Sequence, residues 1–274
     1  MESIRLGELN VHRLGFGAMR VLGDGDVWGP PKDRAAAHRV LRRAYELGAH
    51  FIDTAESYGP GHDEIVIAEA LHPYPKDLVI ATKCGISRPS RGRWEPDGRP
   101  EKLRRDLEGS LRRLKLERID LWQLHSPDSK VPFEESVGVL ADMQRQGKVR
   151  HVGLSNVSAR QLEQARRIVP IVSVQNRYNI GDRKSEDVLQ ACEKAGIAFL
   201  PWYPLGDGMA LRNSKIKSVS KKLGATPAQV AIAWLLANSP VMLPIPGTSS
   251  IAHLEENMHA ASLRLAPDDL QALS

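Results

Sequence analysis

The sequence predicts a (β/α)8 barrel, the TIM-barrel architecture, preceded by a short N-terminal β-hairpin. Three observations point to it. Eight short runs rich in β-branched and aromatic residues recur along the chain. Segments with helical spacing of apolar residues lie between most of them. The rival doubly wound sheet would carry G-x-G-x-x-G after an early strand, but "GFGAMR" and "GDGDVW" each lack the third glycine.

The elements follow in order. "SIRLGELNVH" reads as a hairpin closing the bottom of the barrel. The eight strand runs are "RLGFGAM", "HFIDTA", "LVIATK", "IDLWQLH", "VRHVGLS", "IVSVQ", "IAFLPW" and "VMLPIP". Helical periodicity marks "DRAAAHRVLRRAYELG", "PEKLRRDLEGSLRRLKLE", "FEESVGVLADMQRQG", "ARQLEQARRIV" and "KSEDVLQACEKAG". Ser158 with Gln161 and Thr226 with Gln229 fit capping boxes, and Pro227 suits a first helical position. Gly48, Gly147 and Gly196 each close a helix just before the next strand. Strands alternating with helices imply parallel pairing through right-handed crossovers.

At 274 residues with no linker, repeat or low-complexity stretch, residues 1–274 read as a single domain. The net charge of +5 is spread along the chain. That suits an anionic small ligand and speaks against a nucleic-acid binder. Two cysteines, Cys84 and Cys192, make neither a disulfide framework nor a metal-ligand spacing. The N-terminus lacks an apolar h-region. The most apolar segment, "VAIAWLLANSPVML", is broken by Asn238 and Pro240 short of a membrane span. These features predict a soluble, cytoplasmic, monomeric protein without membrane or nucleic-acid partners.

In a barrel the chemistry sits at the C-terminal ends of the strands. Those ends read Gly17-Ala18-Met19, Asp53, Lys83, His125, Ser155-Asn156, Gln175, Trp202 and Pro246-Gly247. The set is unusually polar for positions that follow apolar runs. Taken singly, Lys83 reads as a solvated strand end and His125 as a hydrogen-bonded core histidine. Asp, Lys and His at one mouth, with Tyr58 on the adjoining loop, form a constellation.

That constellation resembles the catalytic tetrad of the aldo-keto reductase superfamily. The resemblance extends through "LGFGAMR", "FIDTAESYG", "IATK", "LWQLHSPD", "HVGLSN", "VQNRYN", "PWYPL" and "IPGTSSIAHLEEN". With "GPPKDR" it is most similar to a bacterial branch that includes pyridoxal reductases. The resemblance implies Tyr58 as general acid, Lys83 as the ammonium that lowers its pKa, Asp53 as the partner of Lys83, and His125 as a hydrogen-bond donor to the substrate oxygen. It implies reduction of an aldehyde or ketone with NADPH, NADH being possible. Two rivals are a redox-sensing subunit that binds NADPH with little turnover, and a metal-dependent barrel hydrolase. The hydrolase would want H-x-H at a strand end, and none occurs, so no metal is expected.

The resemblance also assigns cofactor contacts. Ser155, Asn156 and Gln175 match residues that hold the nicotinamide carboxamide. Trp202 stands where the family usually has a stacking tyrosine, followed by Tyr203, Pro204, Leu205 and Gly206. Gly17, Met19 and Asp53 border the same site. Gly247 and Thr248 open a helix whose free N–H groups suit a phosphate. His253 stands where many relatives have Arg, and Glu256 and Asn257 match adenine contacts. The usual Lys and Arg for a 2′-phosphate are absent here. Met19, Trp28 and Trp94 are candidate substrate-wall residues. The short Ser126 to Lys130 segment and a chain ending at Ser274 imply an open, shallow pocket.

Overall fold

The computed structural model describes residues 2–23, 25–208 and 210–273, so Ser274 lies outside the described residues. Two strands come first, β1 (Ser3–Leu6) and β2 (Leu9–His12), paired antiparallel with Ile4 opposite Val11. Their turn requires Gly7, whose φ is +63° and where a Cβ would fall 2.2 Å from the His151 ring. The expected hairpin is present.

Strands and helices then alternate. β3 (Phe16–Gly17) leads to α1 (Arg34–Glu46), β4 (Phe51–Asp53) to α2 (His62–Leu71), and β5 (Val79–Cys84) to a small hairpin of β6 (Ile86–Ser87) and β7 (Glu95–Pro96). α3 (Pro100–Leu114), β8 (Ile119–Leu124), α4 (Phe133–Arg145), β9 (Val149–Ser155) and α5 (Ala159–Arg166) follow. The chain continues through β10 (Ile171–Arg177), α6 (Glu186–Ala195), β11 (Ala198–Trp202), α7 (Ser214–Leu223) and α8 (Pro227–Asn238). It ends in α9 (Ile251–His259) and α10 (Pro267–Leu273). Both capping boxes form, at Ser158 and Thr226. Gly48, Gly147 and Gly196 all have positive φ at helix ends, as a left-handed exit requires.

One parallel sheet runs β11-β10-β9-β8-β5-β4-β3. The expected eighth strand, "VMLPIP", is not a regular strand but a single bridge between Met242 and Phe199. The reason is missing donors. Phe199 N–H donates to Val241 O, and Leu243 N–H donates to Phe199 O. Pro201 is in phase with Phe199 and has no N–H to add. On the other side Gly15 and Gly17 donate to the carbonyls of Pro244 and Pro246, whose own nitrogens return nothing. Both edge strands, β11 and β3, therefore hydrogen-bond to one stretch, 241–246, and the sheet curls round on itself.

Strand periodicity explains what fills the concave face. Phe51, Val79, Ala81, Leu121, Ala198, Leu200, Leu243 and Ile245 form one apolar cluster with Ile4, Leu6 and Val11 of the hairpin. Two residues further along the same faces stand Asp53, Lys83 and Gln123. An apolar floor thus gives way to a polar layer toward the C-terminal strand ends. The larger cluster lies between the sheet and the helices, where α1 contributes Ala37, Val40, Leu41 and Ala44 at helical spacing.

Candidate active site

Asp53 ends β4, Lys83 lies near the end of β5, and both side chains are buried. Lys83 Nζ donates to Asp53 Oδ2 at 2.6 Å, to the Thr54 carbonyl at 2.9 Å, and to the Tyr58 phenol oxygen at 3.2 Å. All three ammonium protons have a partner. Because Lys83 donates to the phenol, the phenol's own hydrogen stays free for another acceptor. The second Asp53 oxygen, Oδ1, accepts from Gln175 Nε2 at 2.8 Å and Gln123 Nε2 at 3.3 Å.

Tyr58 lies on the loop between β4 and α2, with its ring 5.8 Å from the His125 ring, edge to face. His125 directly follows β8, and its Nδ1 lies 3.3 Å from Ser57 Oγ. Burial of the imidazole, aided by the Lys83 charge, pushes the His125 pKa well below the usual histidine range. The ring is therefore neutral at neutral pH and carries one N–H. Burial opposes the charge on Lys83, yet the Asp53 carboxylate and the Tyr58 contact outweigh it, and the ammonium pKa stands above its ordinary value.

Lys83 draws the Tyr58 pKa down, as its charge implies, but burial pushes it up by more and Asp53 adds to the rise, so the phenol stands above its ordinary value. Desolvation of a phenolate outweighs one ammonium already neutralised by a carboxylate at 2.6 Å. The tyrosine is thus a protonated donor, held by an ammonium that accompanies any loss of that proton.

A cleft of about 610 Å³ opens over this cluster, within the range of small-molecule sites. Asp53, Tyr58 and His125 line its floor, and Gly17, Met19, Ile245, Pro246 and Gly247 line one side. Ser155, Asn156, Gln175, Trp202, Tyr203, Pro204 and Leu205 line another, and Trp94, Ile86 and Pro96 a third. Asn156 and Tyr203 both hold positive φ, +58° and +53°, rarely adopted by residues with side chains. Asn156 Nδ2 donates to the His125 carbonyl and to Ser155 Oγ, while Trp202 Nε1 donates to Asn156 Oδ1. The Arg177 guanidinium lies over both the Trp202 and Tyr203 rings.

Several sequence candidates do not line this cleft. Lys83 lies beneath its floor, in contact through Tyr58 and Asp53. Gly206, Thr248, His253, Glu256 and Asn257 lie beyond it. Thr248 Oγ1 accepts from Ser250 N–H, and Ser250 caps α9, whose first two turns carry an exposed His253 and a buried Asn257. Trp28 is also outside the lining. It stacks instead on Arg88, 5.3 Å from its ring centroid.

Comparison with known proteins places the fold in a family. The model of the aldo/keto reductase family matches residues 13–274. The chain belongs to that family. It is 46% identical over 275 residues to pyridoxine 4-dehydrogenase of Escherichia coli, covering 98% of this chain and 96% of that one. It is 48% identical over 267 residues to an oxidoreductase of Schizosaccharomyces pombe, covering 97% of this chain and 87% of that one. A thermostable aldo-keto reductase crystallised with the inhibitor epalrestat superimposes with a TM-score of 0.86 at 31% identity, covering 100% of this chain and 98% of that one. An aldo/keto reductase from Klebsiella pneumoniae, solved with NADP and acetate, gives a TM-score of 0.82 at 26% identity, covering 99% of this chain and 93% of that one.

As a member of the aldo/keto reductase family the protein is an oxidoreductase, and its site contains residues the sequence reading passed over. Gln123 donates to Asp53 and accepts from Ser173 Oγ at 3.3 Å. Its signal was present: in "IDLWQLH" it is the polar residue two before His125 on the same strand face. Asp63 gives a fainter signal. It sits in the first turn of α2, fully buried, where Thr54 Oγ1 donates to its Oδ2 at 2.6 Å and its Oδ1 has no hydrogen-bond partner among the described residues. Burial pushes its pKa up to about 7 against the Thr54 hydrogen bond, with Glu64 adding to the rise. Arg88, near the cleft, gave no motif at all, and Arg20, which lines it, closes the motif "LGFGAMR" without having been singled out.

Proposed function

We propose that this reductase converts a small aldehyde or ketone to its alcohol with NADPH, Tyr58 serving as general acid. The observation that carries the reading is the Asp53–Lys83–Tyr58 chain on the floor of a cleft that His125 also faces. The same reading takes residues 1–274 as one domain and the stretch 241–246 as the eighth strand of a closed (β/α)8 barrel.

The donor set suits the cofactor. A nicotinamide carboxamide needs both hydrogen-bond donors and acceptors, and Ser155, Asn156 and Gln175 converge on one side of the cleft beside the flat face of Trp202. Trp202, Tyr203, Pro204, Leu205 and Gly206 would hold the ring and diphosphate, with Gly17, Met19 and Gly247 opposite. Thr248, His253, Glu256 and Asn257, around the N-terminus of α9, would hold the adenosine end, where free N–H groups favour phosphate. The relative from Klebsiella pneumoniae solved with NADP supports this assignment. The chemistry NADPH supplies when bound is a hydride from its nicotinamide ring.

The residues supply the rest. A carbonyl oxygen on the cleft floor would accept one hydrogen bond from the Tyr58 hydroxyl and another from the remaining N–H of His125. Ser57 would donate to His125 Nδ1 and leave Nε2–H aimed at the substrate. As negative charge grows on the oxygen, the Tyr58 proton moves to it. Lys83 stabilises the phenolate that remains, and Asp53 with Gln123 and Gln175 keeps the ammonium in place. Apolar walls keep water away and strengthen each of these interactions.

The name of the relative at 46% identity favours pyridoxal as the aldehyde. A panel of aldehydes that includes pyridoxal, assayed with NADPH and with NADH, tests the proposal. Turnover of at least one aldehyde is expected. NADPH binding with no turnover of any would favour the redox-sensing alternative.

A further inference from the structure

Arg88 is a buried cation held between two exposed aromatic rings. Its side chain is 1% accessible, whereas Trp28 and Trp94 are 36% and 38% exposed. The guanidinium carbon lies 3.5 Å from the Trp94 ring centroid and 5.3 Å from that of Trp28. Its donors reach three separate segments. Nε donates to Arg93 O at 3.1 Å in the β6–β7 hairpin, Nη1 to Ser57 O at 3.0 Å in the Tyr58 loop, and Nη2 to Asp26 O and Oδ1, both at 3.2 Å. Gly92 N–H adds a second tie to Asp26 at 2.7 Å.

These contacts have two consequences. The guanidinium is occupied within the protein and is unsuited to anchor an anionic substrate. Trp94, which at its exposure would otherwise sample several rotamers, has one face fixed against a planar cation. The indole meets the Tyr58 ring edge-on at 6.2 Å and lines the cleft next to Ile86 and Pro96. The wall nearest the proposed proton donor is therefore a flat aromatic surface whose orientation is set by Arg88. The far end of the clamp is strained. Val27, a β-branched residue at φ +52°, is kept in that conformation with its carbonyl accepting from Gly59 N–H at 3.1 Å.

We propose that Arg88 positions Trp94 as a stacking wall of the substrate cleft, so that the enzyme selects planar aromatic aldehydes over saturated ones of the same size. The inference rests on the reductase reading above and narrows its substrate class. A planar ring gains offset or edge-to-face contact with the indole that a puckered ring cannot match. Lysine cannot replace the guanidinium, since it has neither the planar face nor the fork that spans Ser57 and Asp26.

The test compares benzaldehyde with cyclohexanecarbaldehyde, each with NADPH, in the wild type, Arg88→Lys and Trp94→Leu. Comparing the ratio of the two kcat/KM values between proteins cancels the intrinsic reactivity of each aldehyde. Both substitutions should lower the benzaldehyde-to-cyclohexanecarbaldehyde ratio about 3- to 10-fold, the range an aromatic pair contributes. The change should lie in KM for benzaldehyde, with the NADPH dissociation constant unmoved. An unchanged ratio in Trp94→Leu overturns the proposal, and this variant, on an exposed hairpin, tests it even where Arg88→Lys does not fold. A fall in kcat shared by both aldehydes with the ratio preserved makes Arg88 a loop tether only and also overturns it. Absence of NADPH-dependent turnover in the wild type would instead remove the reductase reading itself.

Discussion

Lys83 and Asp53 form an ion pair 2.6 Å long in which the two side chains are 0% and 3% accessible. The pair is almost fully buried, and its remaining hydrogen-bonding capacity is taken up by Tyr58, Thr54, Gln123 and Gln175. Such a pair is held by completeness rather than by net strength, because desolvation offsets much of the attraction.

That origin makes its removal asymmetric. Lys83→Met strands a buried carboxylate and should destabilise the protein by roughly 3–5 kcal/mol. The double variant Asp53→Asn with Lys83→Met should recover much of this loss. Urea denaturation of the two single variants and the double variant measures the coupling. Strictly additive losses would mean the pair is not a unit.

The hydroxyl of Tyr58 should matter to chemistry and little to binding. Tyr58→Phe should cut kcat for aldehyde reduction by at least about 100-fold, within the span of general acid catalysis. The NADPH dissociation constant should barely move. Near-normal turnover in this variant would sink the assignment of Tyr58 as acid.

Asp63 should make stability depend on pH. Its folded pKa is raised to about 7, while an unfolded aspartate titrates near 4. Between those values the folded state holds a proton that the unfolded state has lost, so stability falls as pH rises from about 4 to about 7. Above that window the carboxylate is charged in both states and the folded protein bears the desolvation cost. Asp63→Asn should therefore gain stability relative to wild type at about pH 8 and much less at about pH 5. Glu56, also raised to about 7 chiefly by burial, keeps its own share of the slope in both proteins. Urea midpoints at the two pH values decide it; a difference independent of pH would place the titration elsewhere.

Cofactor preference should be real but modest. The segment from Gly247 to His253 has neither Lys nor Arg, so a 2′-phosphate would be met by neutral N–H groups and the N-terminus of α9. NADPH should bind more tightly than NADH by a factor on the order of 10 to 100, about 1.4 to 2.7 kcal/mol. His253→Arg, at an exposed position in the first turn of α9, should widen the margin and make it more salt-sensitive. Fluorescence titration at one salt concentration measures both constants, and equal affinities would remove the preference.

Local patterns were legible without the structure because they depend on chain neighbours alone. Apolar runs that alternate with helical segments specify strands and helices, and a polar residue closing each run marks the end where a site can form. Asp53, Lys83 and His125 were visible in this way, as were both capping boxes, while Tyr58 on the adjoining loop joined them through the resemblance to aldo-keto reductases. The tertiary structure decided what depends on distant segments meeting. Gln123 joins Asp53 across 70 residues, and Arg88 joins Asp26 across 62. Prolines on two separated stretches, Pro201 with Pro244 and Pro246, reduce the eighth strand run to a single bridge. The direction of the Tyr58 shift depends on how much water the surrounding chain excludes and on how far Asp53 cancels the Lys83 charge. Desolvation and charge cancellation sum over three-dimensional neighbours, so the sequence places a tyrosine beside the lysine but folding sets its proton affinity.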